Sequence, residues 1–76
     1  MEGIKPGKYQ HYKGKMYEVI GLVRHSETLE ELVVYRQLYK SKFPKGTLWV
    51  RPREMFFEEV EVDNKKVPRF KYVGDK

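Results

Sequence analysis

The sequence predicts an all-β domain, a small and strongly bent sheet or barrel of five or six strands. Two observations carry that expectation. Short runs rich in valine, tyrosine and phenylalanine, the residue types that fit a pleated surface, are separated by glycine- and proline-bearing punctuation. The run EEVEV at 58–62 alternates glutamate and valine at period 2, so one face is wetted and the other covered. Five or six such pieces in 76 residues leave room for one domain, 1–76, and none for a cleft walled by two.

The elements follow in order. KPGKYQHY (5–12) is a strand-leaning run behind a Pro-Gly turn signal, and Gly14 in KGK (13–15) supplies the positive φ of a tight hairpin. MYEVIGLVR (16–24) is the most apolar stretch and the expected central strand. LVVYRQLY (32–39) is contested. Thr28 and Glu31 match a helical capping box, with Leu29, Leu32, Val33 and Arg36 on one helical face, but Val33, Val34, Tyr35 and Tyr39 favour a strand, which is the reading taken. KSKFPKG (40–46) is a basic loop. TLWVRP (47–52) is a strand stopped by Pro52, and REMFF (53–57) is one helical turn. DNKK (63–66) is a four-residue turn, and VPRFKY (67–72) a last strand whose Pro68 suits a sheet edge. The expected core is Val19, Leu22, Val34, Leu48, Val50, Phe56, Val60 and Val62.

Composition narrows function. There is no cysteine, so no disulfide or thiolate metal site holds the chain together, and packing must suffice. No apolar run approaches membrane-spanning length and the first residues carry no signal-peptide core, so the expected compartment is the cytoplasm.

His25, Ser26, Glu27 and Thr28 stand in a row, which raises the question of a hydrolase. Adjacent residues on an extended chain point to opposite faces, and a triad needs base and nucleophile within about 3 Å. No nucleophile elbow or glycine-built oxyanion hole lies nearby. These four residues are therefore expected to form a structural turn, and no catalytic residue is assigned. His11 and His25 fall on different elements without carboxylates at ligand spacing, so neither a metal nor a cofactor is expected.

The stretches GKYQHYKGKMYEVIGLVRHSETLEELVVYRQLY (7–39) and LWVRPREMFFEEVEV (48–62) resemble a family of short bacterial proteins defined only as a conserved domain of unknown function. RHSETLEELVVY and LWVRPREMF carry the likeness. It implies an SH3-like barrel from a bacterium and supplies no activity. KSKFPKGT (40–47) departs from the pattern in being longer and more basic.

Charge is the most informative remaining signal. Residues 32–53 hold Arg36, Lys40, Lys42, Lys45, Arg51 and Arg53 and no acid, interleaved with Tyr35, Tyr39, Phe43 and Trp49. Cations beside aromatic platforms are what single-stranded nucleic acid engages. The expected function is a non-enzymatic binding module contacting single-stranded RNA or other nucleic acid, with Arg36, Tyr39, Lys45, Arg51 and Arg53 as candidate contacts. The alternative is an SH3-like module that binds a peptide or protein. A nucleic-acid binder should gather its cations on one face, free of carboxylates; a peptide binder should show an aromatic groove or an unpaired, uncharged sheet edge.

Overall fold

The computed structural model describes residues 4–74; residues 1–3 and 75–76 of the expected domain lie outside the described residues. Seven strands and one helical turn follow one another: β1 (Gly7–His11), β2 (Met16–Arg24), β3 (Glu31–Gln37), β4 (Leu48–Pro52), α1 (Arg53–Phe56), β5 (Glu59–Val62), β6 (Lys65–Pro68) and β7 (Phe70–Gly74). Five strands form an antiparallel sheet in the order β4-β3-β2-β1-β7, and β5-β6 form a separate hairpin. Among the described residues no helix is long and apolar enough to cross a membrane.

The chain is all-β as expected, apart from the turn of helix anticipated at 53–57. Three expectations need correction. The sheet is not closed into a barrel, because β4 and β7 remain its two edges. There are seven strands because Arg69 divides the expected last strand: its N–H donates to the Glu58 carbonyl, while β6 and β7 pair with different partners. The turn at 63–66 is shorter than expected. Asp63 and Asn64 both take positive φ, as a two-residue hairpin turn requires, and Lys65 already belongs to β6.

The contested segment is a strand. Leu29 sits at φ 65° and donates to the His25 carbonyl, closing a turn where a helix would begin, and β3 then pairs with β2 on one side and β4 on the other. Two hydrogen-bonded neighbours outweigh a capping box of four residues.

The core is aromatic rather than aliphatic. Phe56 is fully buried, stacks on Phe70 at 4.2 Å between ring centroids, and meets Tyr9 and Tyr35 at 5.6 and 5.5 Å. Val19 and Val33 complete it, with Leu22, Tyr17, Trp49 and Tyr72 packed around. Leu48 and Val50, expected inside, are each 57% exposed, and Val62 is exposed as well. The reason is parity. On β4, Trp49 and Arg51 take the inner face opposite the buried Tyr35 and Val33, which sends Leu48 and Val50 outward. Val34, paired with Val50, is half-buried on that outer face, and Val60 is half-buried in the hairpin.

Candidate aromatic and basic cleft

The inner face of β3 carries Val33, Tyr35 and Gln37, all buried. Gln37 is 1% exposed and makes four side-chain hydrogen bonds. Its Nε2 donates to the Tyr39 carbonyl at 2.9 Å, the Phe43 carbonyl at 3.1 Å and Ser41 Oγ at 3.3 Å. Its Oε1 accepts from Trp49 Nε1 at 2.9 Å. One buried amide therefore fastens the 38–47 loop to the sheet and sets the indole beside it. The loop is further tied by Gly46 N–H donating to the Gln37 carbonyl, with Gly46 at φ 94°.

Loop and sheet enclose an open cleft of about 460 Å³ lined by Tyr17, Tyr35, Tyr39, Ser41, Lys42, Phe43, Trp49 and Arg51. That volume falls in the span of small-ligand sites, about 300–1,000 Å³. Tyr17 and Tyr39 share a hydroxyl hydrogen bond of 2.5 Å and meet edge to face, as do Phe43 and Trp49 at 5.1 Å. Burial, and then the bond to Tyr39, hold the Tyr17 hydroxyl well above the usual phenol range, so it stays neutral. Lys15 Nζ lies 4.9 Å from the Tyr39 ring centre. Arg51 Nε donates to Tyr35 Oη at 3.4 Å. Five rings and two cations line the cleft, and among the described residues no carboxylate does.

The five residues expected to touch nucleic acid are not gathered together. Tyr39 and Arg51 line the cleft, and Lys45 is exposed on its loop. Arg36 alternates with buried Tyr35 and Gln37, so it faces the other side of β3; its Nε lies 3.2 Å from Glu18 Oε1, off the axis a hydrogen bond needs. Arg53 is bound to Glu31, Nη1 to Oε1 at 2.7 Å. That bond, with further help from Arg24, holds the Glu31 carboxyl below the usual carboxylate range.

The 25–28 turn is tied by an imidazole as well as by a hydroxyl. His25 Nδ1 accepts from the backbone N–H groups of Glu27 and Thr28 at 3.1 and 3.3 Å, and Thr28 Oγ1 accepts from Glu30 N–H at 3.2 Å. Ser26 Oγ has no hydrogen-bond partner among the described residues. Tyr17 and Ser41 of the lining, and Gln37 behind it, were not singled out from the sequence; Tyr35, Lys42, Phe43 and Trp49 were named only as part of the basic, aromatic segment. Gln37 had a signal: it is a lone amide at the buried parity of a strand, two residues after Tyr35.

Fold and cleft define the class: a small open β-sheet domain presenting an aromatic, cation-lined groove beside a sheet edge. The family model described as "Protein of unknown function (DUF1653)" matches residues 7–72, and the chain belongs to that family. A crystal structure of a protein belonging to DUF1653 from Bordetella bronchiseptica is similar, with a TM-score of 0.84 and 39% sequence identity over 96% of this chain and 91% of that one. No curated protein matches the chain.

Proposed function

We propose that the chain is a non-enzymatic binding module that holds single-stranded RNA in the cleft between β3–β4 and the 38–47 loop. The observation that carries this reading is the lining itself: aromatic rings with Arg51 and Lys42, and no acid. Bases would stack on Tyr39, Phe43 and Trp49 while Lys40, Lys42 and Lys45 of the loop meet phosphates. Arg36 and Arg53, engaged with Glu18 and Glu31, are left out of the contact set. A cationic ligand such as a methylated lysine, which aromatic cages otherwise suit, would be repelled by Arg51 and Lys42. A bacterial cytoplasm is the setting we assign, and the Bordetella bronchiseptica relative supports the bacterial part of it. Against catalysis, His25 spends its Nδ1 on two backbone donors in an exposed turn.

Fluorescence anisotropy with a labelled uridine-rich oligomer tests this. Two or three neutralised phosphates give a slope of log K against log salt of about −1.4 to −2.1. That is a loss of about 7- to 18-fold between 50 and 200 mM salt. Tyr39→Ala should weaken binding by about 1–3 kcal/mol at unchanged slope. Absence of binding at about 50 mM salt would overturn the reading. A peptide reading has one observation in its favour, the unpaired β4 edge beside the groove, onto which an extended peptide could add.

A further inference from the structure

We infer that the cleft prefers guanine over adenine, and that Arg51 reads guanine through its adjacent acceptors; this rests on the RNA reading above. The chain has five arginines. Four have a carboxylate: Arg24 at 3.7 Å and Arg53 at 2.7 Å from Glu31, Arg36 at 3.2 Å from Glu18, and Arg69 at 3.1 Å from Glu58. Arg51 alone has none among the described residues, although it is half-buried. Its single side-chain bond runs from Nε to Tyr35 Oη, which steadies the guanidinium in the cleft wall and leaves Nη1 and Nη2 for a ligand. A half-buried cation without a counter-charge is held at a cost that an acceptor pair would relieve.

The other hydroxyl and amide groups of the cleft each have at least one partner, Tyr35 Oη in Arg51 itself. The Gln37 amide is bound to the loop and to Trp49, Ser41 Oγ accepts from Phe43 N–H, and the Tyr17 and Tyr39 hydroxyls are bonded to each other. The cleft therefore offers donors, from Arg51 and Lys42, and among the described residues no carboxylate or free amide oxygen. Guanine presents O6 and N7 as adjacent acceptors that match the two ends of a guanidinium fork. Uracil presents O4 and O2. Adenine sets its N6 amino group beside N7, so a fork there meets one acceptor and one donor, whereas cytosine offers an adjacent acceptor pair at O2 and N3.

The test compares binding of the five-nucleotide RNAs UUGUU, UUUUU, AAAAA and CCCCC to the wild-type chain and to Arg51→Lys and Arg51→Gln, each first shown to fold by Trp49 emission. UUGUU should bind tightest and the adenine oligomer weakest, spread over about 5- to 150-fold as one bidentate contact gives. Arg51→Lys keeps the charge but not the fork, so it should collapse that spread with the salt slope unchanged. Equal affinity for all four RNAs, with Arg51→Gln flattening the slope by about 0.7, puts Arg51 on phosphate. That result overturns this inference and leaves the RNA reading standing. Failure of every RNA to bind overturns both.

Discussion

Gln37→Met is the most revealing single change. Methionine nearly fills the space of glutamine and is unbranched, so cavity terms are small and the loss is polar. Four hydrogen bonds disappear. Each is worth about 0.5–1.5 kcal/mol net, and the orphaned Trp49 Nε1, in a half-buried setting, adds its own unmet donor. The carbonyls of Tyr39 and Phe43 can turn toward water, which trims the total to about 2–4 kcal/mol. In a domain of this size that shifts Tm by roughly 8–30 °C. Trp49 is the only tryptophan and sits at the affected contact, so its emission during urea or thermal unfolding reports the change directly. RNA affinity should fall as well, because Tyr39 and Phe43 lose their anchor. Gln37→Glu refines the point. Its carboxylate can still accept from Trp49 but faces two carbonyls, so burial raises its folded pKa above the unfolded value. Stability of that variant should therefore be best in acid and decline as pH rises toward neutrality. A Gln37→Met midpoint within about 0.5 kcal/mol of wild type would refute the reasoning that this amide holds the loop.

Other outcomes follow from the same structure. Phe56→Ala removes a fully buried ring from the centre of the aromatic core and should cost about 3–5 kcal/mol, whereas Val50→Ala on the outer face should stay within about 0.5 kcal/mol; denaturant midpoints compare them. His25→Ala strips two backbone N–H groups of their acceptor and should lose about 0.5–2 kcal/mol, as a lost cap does, while Ser26→Ala should be silent in the same melts. Burial, then the nearby Arg69, Arg51 and Lys13, lower the His11 pKa from 6.5. The folded state thus resists that proton, so this contribution is intact above the unfolded pKa and is lost as pH falls below it; His11→Phe should remove that part of the pH dependence of stability.

Much of the fold was legible because period-2 patterning and turn residues act locally. Gly14 takes φ 103° as a tight hairpin after β1 requires, and Glu-Val alternation at β5 marks a strand whose glutamates are exposed. Parity on β4 was not legible. Leu-Trp-Val-Arg offers an apolar residue to either face, and only the pairing of Tyr35 with Trp49 decides which side is covered. The division at Arg69 was hidden for a similar reason, since it depends on a backbone bond to Glu58 far along the chain. The cleft was half legible. Composition found the acid-free, aromatic segment, but the arginine it leaves without a carboxylate among the described residues is Arg51, and that depends on where Glu18, Glu31 and Glu58 fall across the sheet. Tyr17 joins the cleft from β2, outside the basic segment altogether.

Titration of the isotope-labelled chain with a uridine-rich RNA, followed by amide and indole NMR shifts, tests the cleft most directly. The shifts should concentrate at Tyr17, Tyr35, residues 37–43, Trp49 with its indole N–H, and Arg51. They should leave the outer-face residues Ile20, Val34 and Leu48 nearly still. Shifts confined to that outer face or to β7, or saturable binding that leaves the Trp49 indole unmoved, would contradict the assignment of the cleft as the binding site.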